Sequence, residues 1–167
     1  MTSYLGIKKE KIALQNSVQN WFSILKSHID NVPENLTEQV QTLNNIRIDT
    51  YEELNQLQHV AAIIIVAEKL QLEFPEINKW AWHPRQTSHK DFADLTGFVN
   101  DTIILNAEVT TSMKPVGTID KRMQNTLTSL SNKTGKKFYY VQTDEMLRRA
   151  KTKISKNNNW DIETRRI

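Results

Sequence analysis

The chain has 167 residues, 38% of them apolar and 25% charged, with four Trp and no Cys. That length suits one domain, and the lack of Cys excludes disulfide scaffolds, zinc ribbons and thiol nucleophiles. The net charge of +3 is unevenly spread: residues 1–113 hold 9 Lys+Arg against 14 Asp+Glu, a balance of −5, and residues 114–167 hold 13 against 5, a balance of +8. Such asymmetry points towards a polyanion partner. The N-terminus, MTSYLGIKKEKIALQ, lacks the apolar stretch of a signal peptide. The longest apolar run, Val60 to Ala67, is too short to cross a bilayer. A cytoplasmic protein with no membrane partner is expected.

Up to Pro75 the pattern is helical. Ile12 to Ile29 carries apolar residues at 14, 18, 21, 22, 25 and 29, the spacing of an amphipathic helix, and Asp30-Asn31-Val32-Pro33 closes it. A short helix is predicted over 36–46. Thr50, with Glu53 three residues on, reads as a capping box that starts a long helix ending before Pro75. Between 60 and 67 that helix is apolar all round, so it should lie in the core under a sheet.

After Pro75 short β-type runs take over. Strands are predicted at Lys79–His83, Phe92–Val99, Thr102–Thr111, Lys137–Thr143 and Asn159–Arg166, with Asn100-Asp101 as a tight hairpin turn. Helices are predicted at Thr118–Lys133 and Asp144–Ser155, with Thr118 and Thr143 as N-caps and Gly135 ending the first. This order makes an α/β sandwich with a mixed sheet. The four glycines are scattered, so there is no phosphate-binding glycine loop and no nucleotide cofactor is expected.

The run Ile103 to Thr111 is the most informative. Side chains alternate along a strand, so Ile103, Leu105, Ala107 and Val109 form an apolar face, and Ile104, Asn106, Glu108 and Thr110 a face that turns polar. On the neighbouring strand Asp94, Thr96 and Phe98 share a face. Antiparallel neighbours sit about 5 Å apart, so Asp94 and Glu108 can converge on a metal-sized gap. Two acidic side chains, with water and phosphate completing the shell, suit Mg²⁺ or Mn²⁺. His59 and Glu68 lie on the long helix and read as a core histidine and a solvated acid, or, facing the sheet's cleft, as side chains that complete a metal shell.

An Asp on one strand, followed 14 residues later by Glu-Val-Thr at the end of the next, resembles the PD-(D/E)XK nuclease superfamily, which includes many type II restriction endonucleases and resolvases. Residues 50–143 follow its core order of helix, three-stranded meander, helix and strand. The resemblance implies a restriction-endonuclease-like sandwich, a mixed central sheet flanked by helices, spanning 49–167 behind a helical extension over 1–48. It also implies a metal-dependent phosphodiesterase that hydrolyses DNA, in a restriction or defence setting. Asp94 and Glu108 would be the acidic metal ligands. Ala93 precedes Asp94 where the family has Pro, and Thr110 stands where it has lysine. Threonine can hydrogen-bond a water but supplies no positive charge, so Lys121 is expected to provide the cation, with Lys114 and Arg122 close by. Arg85, Lys90, Lys114, Arg122, Arg148 and Arg149 are the expected nucleic-acid contacts, and a homodimer would cut both strands of a duplex. Absence of the motif lysine leaves a second reading, a catalytically inactive nucleic-acid-binding or regulatory module of the same fold.

Overall fold

The computed structural model describes residues 3–83, 93–157 and 159–167. In chain order the elements are β1 (Ser3–Tyr4), α1 (Ile7–Ile29), α2 (Leu36–Glu73), β2 (Lys79–Trp82), β3 (Leu95–Val99), β4 (Thr102–Thr110), α3 (Thr118–Ser131), β5 (Lys136–Val141), α4 (Asp144–Ser155) and β6 (Glu163–Arg166). The chain is α/β, as its sequence predicts. No helix among the described residues is long and apolar enough to cross a membrane.

The largest departure from expectation is α2, one unbroken helix of 38 residues that runs through the 48–49 boundary. No Gly or Pro falls between Pro33 and Pro75, so nothing in the sequence interrupts it. The start is set by Asn35, whose side chain accepts from the backbone N–H of Glu38 at 2.9 Å. Thr50 is therefore not an N-cap. It is buried within the helix, and its hydroxyl donates back to the Ile46 carbonyl at 2.6 Å. The Thr50-x-x-Glu53 pattern loses its meaning because the preceding turn is already helical.

The six strands lie in the order β1-β2-β3-β4-β5-β6, antiparallel up to β4 and parallel from β4 to β6. Asn100 and Asp101 both take positive φ, 49° and 63°, as a two-residue hairpin between β3 and β4 requires. The pairing of β3 with β4 slips at Gly97/Phe98: Gly97 faces Leu105 while Phe98 faces Ile103, leaving Ile104 as the extra residue. Ile104 accordingly packs with the α2-side core, a place the strict alternation had assigned to Ile103.

Two apolar clusters flank the sheet. On one side Ile63, Val66, Ala67 and Leu70 of α2 meet Leu105, Ala107, Val109, Phe138 and Tyr140, together with Trp80 and Trp82. On the other side Met123, Leu127 and Leu130 of α3 and Met146 and Ala150 of α4 cover Tyr139 and Val141. Each fully buried Leu, Met or Phe contributes about 1.5–3 kcal/mol. Arg165 fastens β6 to the rest. It pairs with Glu73 and Glu163 and lies 4.4 Å over the Phe138 ring.

The helix ends refine the sequence reading. Thr143 caps α4, accepting from Met146 N–H at 3.2 Å. Thr118 is not a cap, since Gly117 holds that position with φ 54° and no side-chain bond. Gly135 does not end α3, which closes at Asn132; at φ 74° it forms the turn into β5.

Candidate active site

The site is built at the C-terminal end of β4. Ala107 and Val109 point into the α2-side core, so Glu108 between them points to the α3 and α4 face, in register with Tyr139 on β5. Asp94 lies one residue before β3, and its carbonyl still accepts from His83 N–H at 3.0 Å. Its carboxylate turns towards β4 and accepts the Val109 N–H at 2.9 Å through Oδ2. The acid thus takes over a ladder bond where the strand pairing ends, which fixes its orientation beside Glu108.

The Asp94 carboxylate bears directly on the Glu108 carboxyl. Burial and then the negative charge of Asp94 hold the Glu108 carboxyl well above the usual carboxylate range, and a hydrogen bond shared with Asp94 adds to this. Glu108 as a residue keeps some exposure at the sheet end, but its carboxyl is closely surrounded. The opposing influence is the positive charge of Lys133, from the turn between α3 and β5. The same charges reach Tyr139, whose hydroxyl is pushed up first by burial and then by Glu108 and Asp94. A pair that disfavours its own ionised form this way is one that a cation would relieve.

His59 of α2 completes the near surroundings, with Nε2 3.6 Å from Asp94 Oδ1. It is half-buried beside an acid, so it belongs to the site and not to the core where the helical pattern had put it. Glu68 is elsewhere, paired with Lys11 at 2.7 Å. Below the pair, buried Asn106 accepts from Thr96 Oγ1 at 2.9 Å and donates to the Thr134 carbonyl at 2.9 Å. That bond ties the Lys133 turn to the strand carrying Glu108. Thr110 stands on the Glu108 face at the strand end, its hydroxyl oxygen 3.4 Å from the Ser112 N–H.

Lys114, Lys121 and Arg122 are exposed at and before the start of α3 and pair with no described residue. Arg148 is exposed on α4. Arg149 is committed internally: it grips Asp120 with two hydrogen bonds of 2.7 and 2.9 Å, and Lys153 reaches the same acid at 3.1 Å. These partners hold Asp120 well below the usual carboxylate range. Part of the C-terminal positive charge is spent in this way, since Arg165 and Arg166 are also ion-paired. Arg85 and Lys90 lie outside the described residues. Among the described residues no three His, Asp or Glu side chains are gathered to hold a metal ion.

Lys133 and Tyr139 escaped the sequence reading. They sit 25 and 31 positions after Glu108 and reach it only through the parallel pairing of β4 with β5, for which a local pattern holds no signal. Set against protein-family models, curated proteins and solved structures, the chain matches none.

Proposed function

We propose that the chain is a metal-dependent phosphodiesterase acting on DNA, with a restriction-endonuclease-like arrangement around Asp94 and Glu108. The observation that carries this is the placement of the two acids side by side where the β3–β4 pairing ends, with Asp94 turned onto the Val109 N–H next to Glu108. Order supports it as well: α2, the antiparallel β2-β3-β4, α3 and the parallel β5 follow the succession that the resemblance implies.

The donor set fits a hard divalent cation, because two carboxylates offer oxygens and their repulsion falls when a positive charge lies between them. Mg²⁺ or Mn²⁺ held by Asp94 and Glu108 would polarise a phosphate and lower the pKa of water. The chain's own groups do the rest. The Val109 N–H holds Asp94 in one orientation. His59 Nε2 lies 3.6 Å from the other Asp94 oxygen. Thr110 offers a hydroxyl to orient a water. Lys133 offsets negative charge at the pair, the role expected of Lys121, and Lys114, Lys121, Arg122 and Arg148 are the cations left to meet the phosphate backbone.

The second reading, an inactive nucleic-acid-binding module, is favoured by one residue: Thr110 carries no charge where the family's lysine would. Plasmid nicking with Mg²⁺ or Mn²⁺, beside a gel-shift measurement in EDTA, separates the two. Nicking by wild type that disappears in Asp94→Ala/Glu108→Ala is expected. Salt-sensitive DNA binding without nicking would hand the site to the second reading, and neither activity would remove both.

A further inference from the structure

The first third of the chain forms an arm whose make-up has no explanation within one copy. Not one residue of the 23-residue α1 is buried, and α2 buries nothing before Thr50. The two helices are antiparallel neighbours, joined side by side by Trp21 Nε1 donating to the Thr50 carbonyl at 3.1 Å and by His28 against Asp49 at 3.1 Å. The partly shielded residues mark the seam. On α1 they include Leu14, Ser17, Trp21, Ile24 and His28, and on α2 Gln39, Thr42, Ile46 and Thr50, close to the heptad spacing of paired helices.

Each residue that follows a seam residue is rotated by about 100°. Because the helices run in opposite directions, that rotation carries both sets to the same side of the hairpin. There stand Phe22 and Ile29 of α1 and Leu36, Val40, Leu43 and Tyr51 of α2, each between 49% and 74% exposed. Residues preceding the seam go to the opposite side, and they are polar: Asn20 and Ser27 on α1, Gln41 and Asn45 on α2. The arm therefore has one wet face and one predominantly apolar face. Gln15, Lys26, Asn44 and Arg47 interrupt the apolar side, and the long stems of Lys26 and Arg47 can lie along it with the charge at the rim.

We infer that the apolar face of the α1–α2 arm is the contact between two copies of this chain, packed as an antiparallel four-helix bundle. A second copy is the occupant that the area favours. The six residues expose roughly 700 Å² per copy, close to the per-partner size of a standard stable interface and above the largest patch of a typical monomer. The face is also self-complementary, apolar against apolar with no acid on it, and of one length with itself. This rests on the arm alone and is independent of the reading of Asp94 and Glu108.

Sedimentation velocity on the full chain tests it over a wide concentration range. Wild type is expected at twice the 19.4 kDa chain mass, and Phe22→Glu/Leu43→Glu at the single mass with its helical circular dichroism retained. Should that variant unfold, single cysteines in this Cys-free chain decide instead: under mild oxidation Leu43→Cys should form a covalent dimer and Asn20→Cys, on the polar face, should not. A monomeric wild type, a variant that stays dimeric, or equal cross-linking from both cysteines would overturn the inference. So would a monomer whose arm binds phospholipid vesicles, which would give the face to a lipid surface.

Discussion

Gly135 is where the register of the site can be upset by a single methyl group. It makes the turn into β5 at φ 74°, and a Cβ there would sit 2.5 Å from the Ile104 carbonyl oxygen and 2.6 Å from its carbon. Both neighbours are β4 backbone, so no side chain can swing aside. Gly135→Ala meets two costs: the left-handed conformation, about 1–2 kcal/mol, and forced separation of β4 from the turn, about 1–3 kcal/mol as for an overpacked core. Together they predict a loss of about 2–5 kcal/mol, or a Tm lowered by roughly 4–20 °C for a chain of this size. Gly117→Ala isolates a positive φ without a clash: at φ 54° nothing lies within 4 Å of its Cβ, and its ψ of −122° is no easier for an L residue than the left-handed region. The gain from a stiffer unfolded chain is common to both variants and cancels. Thermal unfolding followed by circular dichroism should show Gly135→Ala falling further, by up to about 3 kcal/mol. Equal losses in the two variants would refute the claim that the turn is pressed against β4.

Three further outcomes follow from the site. Glu108 carries a raised pKa in the folded chain, so its proton favours folding: that contribution is complete below the ordinary glutamate range and is lost as pH rises through the folded value. Denaturant melts without divalent cation should show this loss in wild type and not in Glu108→Gln, which should be more stable at neutral pH by about 0.5–2 kcal/mol; an unchanged pH profile in the variant would contradict the pairing. Asp120→Asn frees Arg149 and Lys153, so DNA affinity should rise and fall more steeply with salt in a fluorescence titration. In nicking assays Lys133→Met should lose far more activity than Lys121→Met, and the reverse order would return the role to Lys121.

What could be read in advance was local. The periodicity of α1, the Thr143 cap of α4, the Asn100-Asp101 turn and the buried stretch of α2 are each written in a few adjacent residues, and so is the alternation that turns Glu108 away from Ala107 and Val109. The missed features depend on distant partners. Whether Thr50 starts a helix depends on whether Asn35 has already started one. The shift from Ile103 to Ile104 is a bulge set by Gly97 across the hairpin. Lys133 and Tyr139 join Glu108 through parallel pairing, and the ion pairs of Arg149 and Arg165 reach acids 29 and 92 positions away. Charge counting saw the basic C-terminal third but not how much of it is neutralised internally.

The central claim is that Asp94 and Glu108 form one cation site. A calorimetric titration of Mg²⁺ and Mn²⁺ into wild type and into Asp94→Ala/Glu108→Ala tests it most directly. Wild type is expected to give a saturable binding heat that vanishes in the double variant. Binding that survives the double substitution, or none in wild type, would contradict it.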